Sequence, residues 1–263
     1  MVKRHKLATR AFGAEPEKPE VAALAEWIKE HRGRTADIIT YQLDRSLAPQ
    51  AEAGIMHPCA GGKFYADRIL SAIVGLEDRK AKGELHVDTP AIIEDAAGIV
   101  VQKKGAWCAM PAPHVLGIRD CYYGDKAEWN DALCESYRKI MRAMRDTGVP
   151  GHVLICGKVS DEELLSLAEQ QVFFFPPEPG REDLKFLLER QHKVAVRKER
   201  LPVIFDLMNE YTVRKIFLLD PDPGAIALAR THFDPDQIVA GGYCTADGDR
   251  YWKDLVTSAE FTV

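Results

Sequence analysis

Five short apolar runs recur along the second half of the chain, and their even pitch limits what it can fold into. "HVLIC" starts at 152, "VFFFP" at 172, "KVAVR" at 193, "KIFLLD" at 215 and "QIVAGG" at 237, so successive starts are 20, 21, 22 and 22 residues apart. Each run is continuously apolar rather than alternating, as in strands covered on both faces of a parallel sheet. Helix-patterned segments fill the gaps: "SDEELLSLAEQQ", "GREDLKFLLERQH", "PVIFDLMNEY" and "PGAIALARTHF", with "DRYWKDLVTSA" after the last run. Ser160 stands where a helix N-cap is needed, with Glu163 three residues on, a capping-box pattern. Strand and helix alternating at this pitch make repeated βα units.

The first half offers three more strand candidates, "ADIITYQL" (36–43), "ELHVDT" (84–89) and "GIVVQ" (98–102). Three and five make eight, the count of a (β/α)8 TIM-barrel-like fold. "GIVVQKKGAWCAMPAPHVLG" reads as a hairpin turning at Lys104-Gly105, an elaborated loop or hairpin after strand 3. The alternative is an open doubly wound, mostly parallel sheet with a small antiparallel insert. Residues 1–19, free of acidic residues before Glu15, read as a basic N-terminal arm, and 20–263 as a single α/β domain.

Composition excludes several classes. A net charge of −5 over 263 residues implies no general nucleic-acid affinity. No uninterrupted apolar run approaches the ~18 residues of a membrane span, and the start of the chain lacks the apolar core of a secretory signal. Six cysteines, Cys59, Cys108, Cys121, Cys134, Cys156 and Cys244, are scattered without Cys-x-x-Cys spacing. Reduced thiols and a cytoplasmic location are therefore expected.

In parallel α/β folds the working residues follow the C-terminal ends of strands. Lys158, Arg197 and Lys198 fall there and predict a small anionic, phosphate- or carboxylate-bearing substrate. Gly241 and Gly242 would let backbone amides approach a phosphate, and Lys63, after Gly61-Gly62, would add a cation at a helix start. Asp88 ends another run and is a candidate acid or base. Asp222 reads as a helix N-cap.

"MHPCAGGKFYADRIL" (56–70) carries the strongest chemical suggestion. His57 and Cys59, bent together by Pro58, could bind one zinc ion, with Cys108, His114 or Cys121 completing the set. Cys59 could instead be a nucleophilic thiol assisted by His57, or the stretch could be a structural loop. The His-x-Cys pair resembles the zinc site of thiol- and corrinoid-linked methyltransferases on barrels related to uroporphyrinogen decarboxylase, where the pair lies late in the chain. That resemblance implies zinc holding a thiol as thiolate. "KIFLLDPDPGAIALARTHF" resembles the second strand and helix of nucleotide-fold methyltransferases, which implies that Asp220 would bind the ribose of S-adenosylmethionine. The leading expectation is an enzyme of metal-assisted group transfer or lyase chemistry. The alternatives are a methyltransferase of either kind, or a non-enzymatic assembly protein, a homo-oligomer using the 103–125 loop with Trp107, Tyr122 and Tyr123 as anchors.

Overall fold

A computed structural model describes residues 4–31 and 36–262. Eight parallel strands form the centre: β1 (Ala8–Ala14), β2 (Cys59–Gly61), β3 (Trp107–Pro111), β4 (His152–Ile155), β5 (Val172–Phe175), β6 (Lys193–Val196), β7 (Lys215–Leu219) and β8 (Ile238–Cys244). The ladders run β6-β7-β8-β1 and β2-β3-β4-β5. A single bridge, Arg10 to His57, joins β1 to β2, fastened by His57 N–H on Thr9 O and Ala11 N–H on His57 O, both 3.0 Å. The fold is TIM-barrel-like, and among the described residues no backbone ladder joins β5 to β6.

A side chain spans that open junction. Gln191 accepts from Phe174 N–H at 3.1 Å and donates to Phe174 O at 3.3 Å and Lys193 O at 2.9 Å. It therefore stands in for the missing strand pairing and satisfies buried backbone groups. Gln191→Leu is expected to cost about 1–3 kcal/mol, the penalty for stranding such groups. Hydrogen exchange checks it: the Phe174 amide loses protection while the Phe217 amide, inside an intact ladder, keeps it.

The five strands of the regular pitch are where the sequence puts them, and the three early candidates are not. Residues 36–43 open helix α2 (Ile38–Ala53), which follows α1 (Val21–Glu30), because Asp37 caps it by accepting from Ile39 and Thr40 N–H, each at 2.9 Å. Residues 98–102 end helix α4 (Pro90–Gln102). Residues 84–87 belong to a hairpin outside the barrel, Ile73–Glu77 with Lys80–Val87, turning at Asp78 and Arg79, both at positive φ, the backbone of a tight hairpin turn. This antiparallel insert follows β2, not strand 3, and Lys104-Gly105 only links α4 to β3. The missing strands come from "ATRAFGA", inside the expected arm, from "CAG" and from "WCAMP". The count of eight is right, with three members exchanged.

Outer helices α5 (Lys126–Thr147), α6 (Asp161–Leu167), α7 (Arg181–Arg190), α8 (Leu201–Leu207), α9 (Pro223–Ala229) and α10 (Gly248–Ser258) complete the βα units. Asp222 does cap α9, accepting from Ala225 N–H at 2.6 Å. Helix α3 (Ala66–Ala72) is tied to α4 by a buried pair, Arg68 Nε to Asp95 at 2.7 Å, with Tyr65 donating to the same carboxylate at 3.0 Å.

The lumen is filled rather than hollow. Phe12 of β1 lies 5.2 Å from Phe173, 4.8 Å from Phe175 and 5.3 Å from Phe217, ring centre to ring centre. Gly13 and Gly241 make room for this packing. A Cβ on Gly13 would sit 2.7 Å from the Ala109 methyl, and one on Gly241 would sit 3.0 Å from the Phe12 ring. Among the described residues no helix is long and apolar enough to cross a membrane.

Candidate functional site at the C-terminal mouth

Above the phenylalanine cluster, the ends of β6, β7, β8 and β1 bring together groups that the sequence spreads over more than 200 residues. Arg197 follows β6 on the lumen-facing register of Lys193 and Ala195, and its Nη1 meets the Asp220 carboxylate at 2.7 Å. Asp220 directly follows β7 with φ +46°. A non-glycine residue in that left-handed region costs free energy and persists only when its surroundings hold it there. Here the hold is threefold: Arg197, the Tyr251 hydroxyl, which donates to Asp220 Oδ1, and its own N–H on Gly241 O at 2.9 Å.

The same network continues to β1. Tyr251 of α10 accepts from Tyr243 N–H at 2.9 Å. The Tyr243 hydroxyl donates to Glu15 Oε1, and that carboxylate oxygen also accepts from Lys63 N–H at 2.6 Å. The Tyr243 ring packs edge-on to Phe175 at 5.5 Å, so the polar ring stands on the aromatic plug. Burial, then the neighbouring Glu15 charge, pushes the Tyr243 phenol above its ordinary pKa. Burial, then Asp220, does the same to Tyr251. Both phenols are thus held protonated, as donors to carboxylates. A Cβ on Gly62 would overlap the Ala14 carbonyl and lie 2.8 Å from Glu15 Oε1, so glycine there lets the β2 end approach Glu15.

The structure distributes the other expected site residues differently. Lys158 is exposed after β4, at the same mouth but outside the network. Lys198 turns away to Asp222 at 3.2 Å, a surface pair. Gly241 and Gly242 lie inside β8, not in a loop: Gly241 faces Phe12, and a Cβ on Gly242 would sit 2.8 Å from both Leu255 and the Tyr251 hydroxyl. They serve packing, with no free amides for a phosphate. Asp88 is exposed and follows a hairpin strand, not a barrel strand.

His57 and Cys59 lie low in the barrel. His57 precedes β2 beside Arg10, and Cys59 is wholly buried, with burial pushing its thiol up to about 12. That burial opposes the nucleophilic thiol expected of it, since the thiolate is the reactive form. Cys108 is buried and one register position out of step with the lumen-facing Trp107, so it points to the helices. Cys121 is exposed beyond the insert. His114 is committed to Glu163, with Nδ1 at 2.8 Å from one carboxylate oxygen and its N–H on the other at 2.7 Å. That hydrogen bond raises its pKa and fixes the ring against Glu163. Among the described residues no three His, Cys, Asp or Glu side chains are placed to share a metal ion, so none of Cys108, His114 and Cys121 joins His57 and Cys59 in one site. Trp107, expected at an interface, lies in the lumen with the Arg10 guanidinium 4.1 Å over its ring.

Glu15 and Tyr251 escaped the sequence reading. Glu15 follows a strand hidden in the presumed arm, and Tyr251 sits one helical turn inside α10 with no motif around it. The one available signal was that "FGAE" continues an apolar run directly into an acid.

No family model matches the chain, and no curated protein matches it. Solved structures do. One from Listeria monocytogenes, provisionally described as a vitamin-B12-independent methionine synthase, is 15% identical with a TM-score of 0.63, over 97% of both chains. A B12-independent methionine synthase from Shewanella sp. W3-18-1, in complex with selenomethionine, is 14% identical with a TM-score of 0.55, over 97% of this chain and 96% of that one. At these identities the likeness is one of fold.

Proposed function

We propose that the chain is a small-molecule enzyme whose substrate carries a carboxylate or phosphate, bound at the C-terminal mouth. The observation that carries this reading is Asp220, a strained non-glycine residue at a barrel-strand end, gripped by Arg197 and Tyr251. Strain of this kind is retained where function needs it, and this face is where barrel enzymes work.

Each group has a task that its geometry suits. The Arg197 side chain is half exposed, and one of its nitrogens is held by Asp220, which leaves donors for a bidentate grip on a substrate anion. Glu15, oriented by the Tyr243 hydroxyl and Lys63 N–H, is a carboxylate placed to accept a proton and to return it. The aromatic plug beneath closes the mouth from the lumen, so a ligand is approached from the solvent side only. Proton transfer next to a carboxylate serves lyase and group-transfer reactions alike. The fold likeness to a methionine synthase bound to selenomethionine supports an amino-acid-type ligand in particular. Arg197 would take its carboxylate, and Glu15 or Asp220 its ammonium.

Calorimetry with a panel of small amino acids, hydroxy acids and sugar phosphates tests the reading. One member is expected to bind, and Arg197→Ala is expected to weaken it about 10- to 150-fold, the worth of a charged hydrogen bond at about 1.5–3 kcal/mol. Glu15→Gln should bind that ligand but turn it over at least about 100-fold more slowly. Equal affinity in the wild type and Arg197→Ala would overturn the assignment.

A further inference from the structure

The opposite, N-terminal mouth of the barrel gathers positive charge without a matching acid. Lys193 and Lys215 are register partners at the starts of β6 and β7. Phe217 of β7 faces the lumen, and side chains two apart share a face, so both lysines begin lumen-facing rows. Arg10 and His57 are partners across β1 and β2 on the same inner side. The Arg10 guanidinium is laid against three lumen rings, Trp107 at 4.1 Å, Phe217 at 5.5 Å and Phe12 at 5.6 Å. Its Nε is buried and has no hydrogen-bond partner among the described residues.

None of these four groups takes part in an ion pair among the described residues. They act on one another instead. His57 is depressed by burial and by the charges of Arg10 and Lys215, and Lys193 by burial and by Arg10, Lys215 and Arg214. The N-terminal face of a barrel ordinarily serves stability. Like charges drawn together there cost stability, and a guanidinium with an orphaned Nε adds to that cost. His57 and Lys193 are exposed, so the cluster is open to solvent.

We propose that this mouth is a second binding site, for a small phosphate-type oxyanion, with Lys193, Lys215 and His57 around the anion and Arg10 at its base. An oxyanion there turns mutual repulsion into shared attraction and gives Arg10 the acceptor it lacks. The aromatic floor keeps the guanidinium in place before the anion arrives, by cation–π contact.

Titration calorimetry with inorganic phosphate at constant ionic strength tests it, using the full chain. The wild type and Arg197→Ala are both expected to show saturable binding, since Arg197 lies at the other mouth. Lys193→Ala combined with Lys215→Ala should weaken that binding at least ten-fold, with the melting temperature unchanged or raised because repulsion is relieved. Arg10→Met should abolish it; should that variant fail to fold, the lysine pair, on the surface, still decides. Phosphate binding that survives the lysine double substitution, that vanishes in Arg197→Ala alone, or that is absent from the wild type overturns the proposal. The result does not depend on whether the C-terminal mouth is catalytic.

Discussion

Phe12→Ala is expected to destabilise the protein by about 3–5 kcal/mol, the range for deleting a large buried aromatic. Phe12 is fully buried and is the shared neighbour of Phe173, Phe175 and Phe217. Those rings come from β5 and β7, so one side chain of β1 touches strands on both sides of the open junction. The cavity left behind cannot collapse easily, because Gly13 and Gly241 already bring the walls close. At roughly 2–4 °C per kcal/mol for a chain of this size, the melting temperature should fall by about 6–20 °C. Phe12→Leu, which keeps most of the volume, should recover the larger part. A loss below about 1 kcal/mol in denaturant unfolding of Phe12→Ala would show that the lumen is not the packed centre described here. Activity should fall too, since Phe175 carries the Tyr243 ring.

The second large effect is acid lability set by His152. This residue opens β4, is fully buried, and neither ring nitrogen has a hydrogen-bond partner. Burial, then the charge of Arg145, lowers its pKa to about 3. The unfolded histidine takes up a proton near pH 6.5. Between about 6.5 and about 3 the unfolded state therefore binds a proton that the folded state refuses. Stability is full above that window and falls with falling pH inside it, by about 1.4 kcal/mol per pH unit. His114 has the opposite sign: its raised pKa contributes stability at low pH that is lost as pH rises through the folded value. His152→Leu removes the first effect and leaves the second. Urea unfolding at pH 7.5 and 4.5 should show the variant losing about 2–3 kcal/mol less than the wild type on acidification. An equal loss in both proteins would reject a buried neutral histidine at this position.

The barrel-like fold was legible because its second half repeats. The runs from 152 to 242 are buried on both faces, and a strand so buried must be apolar throughout, which a reader of sequence can see. The first half obeys the same fold with weaker signals. "ATRAFGA" carries an arginine and four small residues, Ala8, Ala11, Gly13 and Ala14, with its inner face on Trp107 and the phenylalanine rings, and so it reads as an arm. "CAG" is three residues long and is held to β1 chiefly by one bridge. "IITYQL" has strand composition, yet the Asp37 cap and the packing of α2 on β2 make it helix, an instance of tertiary context overriding propensity.

The sequence by itself determined the repeated βα architecture, the caps at Ser160 and Asp222, and the presence of Arg197 at a strand end. Those follow from periodicity and local chemistry, which act over a few residues. Only the tertiary structure decided which charges meet. It turned Lys198 outward to Asp222, joined Arg197 to Asp220, brought Glu15 to Tyr243 across 228 residues, and moved His57 to the far mouth beside Arg10. Those meetings depend on register and on closing the sheet from β8 onto β1, and neither is written into any window short enough to read.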